Sequence, residues 1–258
     1  MVEERTIIRW VDGGCETHVD TLVSEARVTI AVNGEEAAAL MALPAELEEL
    51  AVGFLFAECA FAVPGEVAEI RSNQRLHAVY VTLSTPPPKL PDIVRTFTSG
   101  CGRGISRVSP LWAEYFPVIR QEGLHRLPEV LAAVGELTHR STLFRRTGGV
   151  HTAGLWMDGG FRWVCDDIGR HNAVDKVIGH ALRTQWPPSD DAMLVSTGRL
   201  STDIVLKSIR AGVPLIVSRS APTAGAVHLA ETHGLTLVGF ARAGRCNVYT
   251  HHHRVQAG

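Results

Sequence analysis

Arginine recurs beside glycine and hydroxyl residues at three places in the second half of the chain. These are Ser196-Thr197-Gly198-Arg199, Ser218-Arg219-Ser220 and Phe240-Ala241-Arg242-Ala243-Gly244-Arg245. A guanidinium presents a planar fork of donors that matches phosphate, and glycine lets a backbone come close to a ligand. Any loop that follows a strand tends to be polar and glycine-rich, but such a loop has no reason to repeat arginine. The coincidence predicts an anion site, suited to a ligand such as a pyrophosphate.

Two further residues have the setting for reactivity. Cys101 lies in TSGCGRGISRVSP (Thr98–Pro110), between Gly100 and Gly102 and close to Arg103 and Arg107. Thiolate is the reactive form of cysteine, and backbone N–H groups of a glycine turn with nearby guanidinium charge favour it. Free cysteines are more often small buried hydrophobes, which suits Cys59 and Cys165. The stretch around Cys101 offers no apolar wall. His171 opens a helix after Gly169-Arg170, where a helix N-terminus disfavours the imidazolium; a neutral, hydrogen-bonding ring is expected, with a plain capping role as the simpler reading. Lys176 follows within about a turn and is expected to face the same cleft.

The elements that must position these residues read as two halves. Arg27–Val32 alternates as a strand, and Asn33-Gly34 is a two-residue hairpin turn. Pro44 suits a first helical position, with Leu47, Leu50, Ala51, Phe54 and Leu55 forming one apolar face. Leu76–Leu83 reads as a strand, and Pro86-Pro87-Pro88 with Pro91 as a stiff connector. Residues 1–91 are therefore expected to be a small α+β domain, followed by a linker and mobile cysteine loop over 92–122. In the second half, Val150–Met157 and Phe161–Val164 flank the turn Asp158-Gly159-Gly160. A helix carries Val174, Val177, Ile178, Ala181 and Leu182. The strands Met193–Ser196, Pro214–Val217 and Leu235–Phe240 then alternate with a helix from Ser201 to Gly212 and one from Thr223 to His233. That rhythm predicts an α/β core over 123–258 with a largely parallel sheet under helices. Ligands bind beyond the carboxyl ends of such strands, where the three arginine clusters fall.

Composition narrows the partners. The formal net charge of −2 excludes bulk nucleic-acid binding by long-range attraction. No run of about 18 apolar residues exists, so no membrane span is expected. Five scattered cysteines and an acidic Met1-Val2-Glu3-Glu4-Arg5 opening suit a reducing cytoplasm rather than a disulfide framework. His251-His252-His253 reads as a solvated tail, and no metal site is expected.

Longer motifs carry a resemblance. FRRTGGVHTAG (Phe144–Gly154), DDIGRHNAVDKVIG (Asp166–Gly179), TGRLSTDIVLKSIRAGVP (Thr197–Pro214), SRSAPT (Ser218–Thr223), GFARAGRCNVYT (Gly239–Thr250) and the N-terminal LPAELEELAVGFLFAE (Leu43–Glu58) resemble the FdhD family of formate dehydrogenase accessory sulfurtransferases. The resemblance implies persulfide sulfur taken from a cysteine desulfurase and passed to the molybdenum cofactor of formate dehydrogenase, Mo-bis(molybdopterin guanine dinucleotide), with GDP as a surrogate ligand. It also implies a homodimer and a three-layer, cytidine-deaminase-like C-terminal core. By position, Cys101 matches the persulfide cysteine. Phe240, Ala241, Arg242, Ala243, Gly244 and Arg245 match the cofactor-binding segment, to which the residue reading adds Arg199, Ser218, Ser220 and His171. One departure stands out: the family's Cys-x-x-Cys is here Cys101-Gly102-Arg103-Gly104.

Two other activities compete. A zinc deaminase needs His-x-Glu and Pro-Cys-x-x-Cys at successive helix starts. This chain has His171-Asn172-Ala173 and Thr197-Gly198-Arg199-Leu200-Ser201, one ligand and no catalytic glutamate, which excludes it. A non-enzymatic chaperone, binding cofactor and client without handling sulfur, stays open because Gly104 replaces the second thiol.

Overall fold

Two Xaa-Gly pairs near the N-terminus set its strands. Asp12-Gly13 (φ 48° and 83°) joins Val2–Val11 (β1) to Gly14–Val23 (β2), and Asn33-Gly34 (φ 51° and 91°) joins Ala26–Val32 (β3) to Glu35–Ala42 (β4). Positive φ at both turn positions matches the twist of the flanking strands. The second hairpin is the predicted one. The first has an equivalent turn, but its mostly exposed strands show no buried face by which to find it.

The computed structural model describes residues 1–87, 96–97, 105–106, 116–242 and 244–257. Cys101, Gly102, Arg103, Gly104, Arg107, most of the 92–122 linker and Ala243 lie outside the described residues.

Leu47–Ala57 (α1) starts later than Pro44 predicts. Glu46 takes a left-handed conformation (φ 46°) at the N-cap, so the chain bends between the proline and the helix. Val67–Asn73 (β5) and Ala78–Leu83 (β6) complete a four-stranded sheet of order β4-β3-β6-β5. The predicted start at Leu76 shifts to Ala78 because Asn73 Oδ1 accepts the N–H groups of Arg75 and Leu76, both at 3.1 Å, and holds them in a turn. Short pairings follow between Thr96–Phe97 (β7) and Ile105–Ser106 (β8).

The second half begins with His125–Arg126 (β9), Leu127–Arg140 (α2) and Thr142–Thr147 (α3). His151–Met157 (β10), Gly160–Asp167 (β11), Arg170–Thr184 (α4), Met193–Ser196 (β12), Thr202–Arg210 (α5), Leu215–Ser218 (β13) and Ala224–Thr232 (α6) come next. Thr236–Arg242 (β14), Arg245–Val248 (β15) and Val255–Gln256 (β16) close the chain. The six-stranded sheet runs β11-β10-β12-β13-β14-β15. Only β12-β13-β14 are parallel, which corrects the expectation of a largely parallel sheet. Tight turns such as Asp158-Gly159 at its margins can join only antiparallel neighbours.

Alternation along the central strands makes the layers. Met193, Val195, Leu215, Val217 and Val238 face α2 through Val130, Ala133, Val134 and Leu137. Leu194, Ile216 and Leu237 face the other way into a cluster with α4, α5 and α6. The fold is α/β, and this half is a helix–sheet–helix sandwich. The second cluster continues through α1 to Val28, Ile30, Val79 and Val81 of the N-terminal sheet. Between α1 and α4 two glycines permit contact of backbones. A Cβ on Gly53 would lie 1.8 Å from the Asp175 carbonyl oxygen, and one on Gly179 1.9 Å from that of Glu49.

Candidate functional site

Parallel strands bring their carboxyl ends to one edge, and the chain leaves β12, β13 and β14 there with Thr197, Arg219 and Arg242. All three line a pocket of about 450 Å³. The amino end of β10 supplies His151 and Thr152, α2 supplies Thr138, and the segment around α3 supplies Ser141, Phe144, Gly148 and Gly149. No carboxylate is among the described lining residues.

Hydroxyls fix the pocket's walls. Ser141 caps α3, accepting from Phe144 N at 3.1 Å and donating to the Asp166 carboxylate at 2.8 Å. Thr152 Oγ1 donates to the same carboxylate at 2.7 Å. Thr197 Oγ1 accepts from Thr152 N at 3.0 Å, and Ser220 Oγ donates to the Thr197 carbonyl at 2.9 Å, stitching three strand ends together. Arg219 donates to Thr138 Oγ1 at 3.3 Å. His151 Nδ1 lies 3.4 Å from Thr197 Oγ1; burial first, then the nearby Arg170 charge, lowers its pKa and favours the neutral ring.

The cofactor-binding residues expected from sequence divide. Ser220 and Arg242 line the pocket. Phe240 sits beside it with φ 53°, within a bulge that gives β14 one residue more than β15 between Gly239 and Arg242. The strand thereby continues two residues beyond the predicted end at Phe240, and Arg242 stands directly opposite Arg245 across the final hairpin. Ala241 is buried under α2, and Gly244 and Arg245 are exposed. Ser218 is buried and used within the fold, donating to Gly198 O at 2.6 Å and accepting from Ser220 N at 3.0 Å. Arg199 is exposed and does not line the pocket.

His171 and Lys176 are also outside that lining. Burial, reinforced by the Lys207 and Arg170 charges, pushes the His171 pKa down to about 3, so the ring is neutral as expected, with desolvation rather than the helix end as the main cause. Its Nε2 lies 3.3 Å from Ser201 Oγ, and Ser201, at the N-cap of α5, makes no side-chain capping bond. Lys176 corrects its expectation: it faces no cleft but is fully buried, paired with Asp167 at 2.8 Å. Asp167 also accepts from Leu43 N (3.1 Å), Gly169 N (2.9 Å) and Asn172 Nδ2 (3.0 Å), which makes it a structural hub.

Sequence reasoning missed Thr138, Ser141, Phe144, Gly148, Gly149, His151 and Thr152 as pocket residues. Most of them fall in or beside the stretch Phe144–Gly154, whose Gly148-Gly149 pair was a usable signal for close ligand approach. Among the described residues no group of three or more His, Cys, Asp or Glu is placed to hold a metal, and no helix is long and apolar enough to cross a membrane.

Comparison with known proteins agrees over nearly the whole chain. The FdhD/NarQ family matches residues 23–256. The "Sulfur carrier protein FdhD" of Bacillus licheniformis is 36% identical, across 98% of this chain and 96% of that protein. Its namesake in Streptomyces avermitilis is 35% identical, across 99% and 96%. A crystal structure described as a formate dehydrogenase accessory protein, from Desulfotalea psychrophila, superposes with a TM-score of 0.83 at 29% identity and covers 99% of both chains. The chain belongs to the FdhD/NarQ family.

Proposed function

We propose that this protein is a sulfur carrier for formate dehydrogenase maturation, with Cys101 as the carrying thiol and the strand-end pocket as the seat of a guanine nucleotide portion of the molybdenum cofactor. The observation that supports it most is the charge at the pocket. Arg219 and Arg242 line it, no carboxylate is among its described lining residues, the nearby Asp166 carboxylate is taken up by Ser141 and Thr152, and Arg242 is held opposite Arg245. Like charges directly opposite on paired strands are destabilising, so the arrangement favours an anion between or beside them. The name of the relatives supports the sulfur-carrying part.

The transfer chemistry follows from persulfide exchange. The Cys101 thiolate attacks the outer sulfur of a cysteine desulfurase persulfide, the desulfurase thiolate leaves, and Cys101 holds an –S–SH group. Releasing that sulfur as sulfide takes two electrons. A second loop cysteine would supply them by closing an internal disulfide. With Gly104 there, a thiol from outside the chain attacks Cys101 Sγ, expels hydrosulfide toward the molybdenum centre and forms a mixed disulfide, which a further thiol resolves. This cycle belongs in a reducing cytoplasm.

The absent second thiol also favours a rival: a chaperone that binds the cofactor without sulfur. Mass spectrometry after incubation with desulfurase and cysteine separates them. The carrier gains one sulfur atom on Cys101, and the Cys101→Ala variant gains none. No gain on the native chain, with nucleotide binding intact, establishes the chaperone instead. In calorimetry, Arg219→Ala or Arg242→Ala should each weaken GDP binding by about ten- to a hundredfold, the worth of one charge-assisted contact. Lysine at either position should restore it only in part. Equal affinity for guanine and adenine nucleotides would reject the pocket assignment.

A further inference from the structure

One wall of the strand-end pocket is aromatic. Phe144 lines it and is 42% exposed, a large apolar side chain open to water among hydroxyls, glycines and arginines. Its backbone is fixed on both sides: Phe144 N donates to Ser141 Oγ at 3.1 Å, and its carbonyl accepts from Gly148 N at 2.7 Å. Gly148 closes α3 in a left-handed conformation (φ 63°), and Gly149 follows it, so neither of these lining residues puts a side chain into the pocket. Among the described residues no other ring and no cation stacks on Phe144. An aromatic ring on a clamped backbone, left open in a polar pocket, is a seat for a flat and partly apolar group.

Strand order decides which part of a ligand that group is. In the sheet β10 neighbours β12, and β13 and β14 come next. The Phe144 wall runs through Gly148 and Gly149 into the amino end of β10, whereas Arg219 and Arg242 stand at the ends of β13 and β14. Neighbouring strands lie about 4.8 Å apart, so two to three spacings, about 10 to 14 Å, separate the β10 end of the pocket from the two arginine-bearing ends. Thr197, after β12, puts a hydroxyl between them. Arg145 and Arg146, on the same helix as Phe144, do not line the pocket. An aromatic end, a hydroxyl middle and a cationic end match the base, sugar and phosphates of a nucleotide in that order.

We propose that Phe144 is the platform on which the base of the bound nucleotide stacks, with the base on the β10 side and the phosphates at β13 and β14. The assignment rests on the pocket being a nucleotide site, and the test separates the two. Phe144→Leu keeps apolar bulk without an aromatic face, at a position exposed enough for the fold to tolerate it. In calorimetry on the full chain it should weaken GDP binding about tenfold, the worth of one base–aromatic stack, and leave binding of inorganic pyrophosphate unchanged. Phe144→Tyr should bind GDP as the native chain does, and Arg242→Ala should weaken both ligands. In NMR spectra the guanine ring proton of GDP should move upfield on binding to the native and Phe144→Tyr proteins, under the ring current of the stacked side chain, and not on binding to Phe144→Leu. Equal GDP affinity in the native and Phe144→Leu proteins, an equal loss for pyrophosphate, or an upfield shift that survives leucine would overturn the platform and leave the pocket standing. A native chain that does not bind GDP would overturn both.

Discussion

His171 and Asp175 sit on one helix and respond to pH in opposite senses. Burial holds His171 at about 3, well below the value of about 6.5 for a free histidine. Between those values the unfolded chain binds a proton that the folded chain refuses, so stability falls as pH drops below about 6.5. Asp175 is pushed up to about 6 by burial, although Lys207 pairs with it. Its protonation favours the fold between about 3.9 and 6, so stability is lost there as pH rises and part of the histidine effect is offset. His171→Gln, which keeps a hydrogen-bonding group beside Ser201, should flatten the decline in urea midpoint between about pH 7 and 5. An unchanged slope would show that the ring ionises freely. The neutral ring was legible in the sequence, but its cause was not: Gly169-Arg170-His171 shows a helix start, whereas the depth of burial depends on α5, about thirty residues away.

At the level of elements, the crossing of α1 and α4 is the most constrained contact. Gly53→Ala and Gly179→Ala each force a methyl group into a facing carbonyl, and neither helix can move without disturbing the core behind it. Each should cost about 3 kcal/mol in denaturant unfolding, where an exposed glycine-to-alanine change in a helix would gain stability. A loss under about 1 kcal/mol would mean that the helices stand further apart. Helix α1 itself was readable from its apolar spacing, and its glycine was not, because a contact between helices has no local signature. Other omissions had signals. Val130, Ala133, Val134 and Leu137 lie at helical spacing in α2, and Pro128 marks its start. β15 is short and half exposed, so it announces itself only through the strand it pairs with.

Across the whole molecule, the Lys176–Asp167 pair ties the N-terminal segment to the α/β core. Both side chains are fully buried, Lys176 Nζ also donates to Leu43 O at 3.3 Å, and Leu43 N donates back to Asp167. Lys176→Met should cost about 3–5 kcal/mol by urea unfolding, because Asp167 is left charged in the interior; adding Asp167→Asn should recover part of that loss. A single variant as stable as the native chain would contradict the buried pairing. The α/β class and the arginine-bearing strand ends were readable from periodicity and turn chemistry. The joining of the two halves was not, since Asp167 and Lys176 lie 124 and 133 residues from Leu43, and Gly53 and Gly179 are likewise more than a hundred residues apart in sequence. One consequence concerns how the chain could be divided. If the backbone were cut between residues 87 and 116, the piece carrying Asp167 and Lys176 would lack Leu43, and each piece would expose its side of the α1–α4 contact to water. Neither piece is then a self-sufficient module, and the two mixed together are equipped to find one another and rebuild the native core without the peptide link.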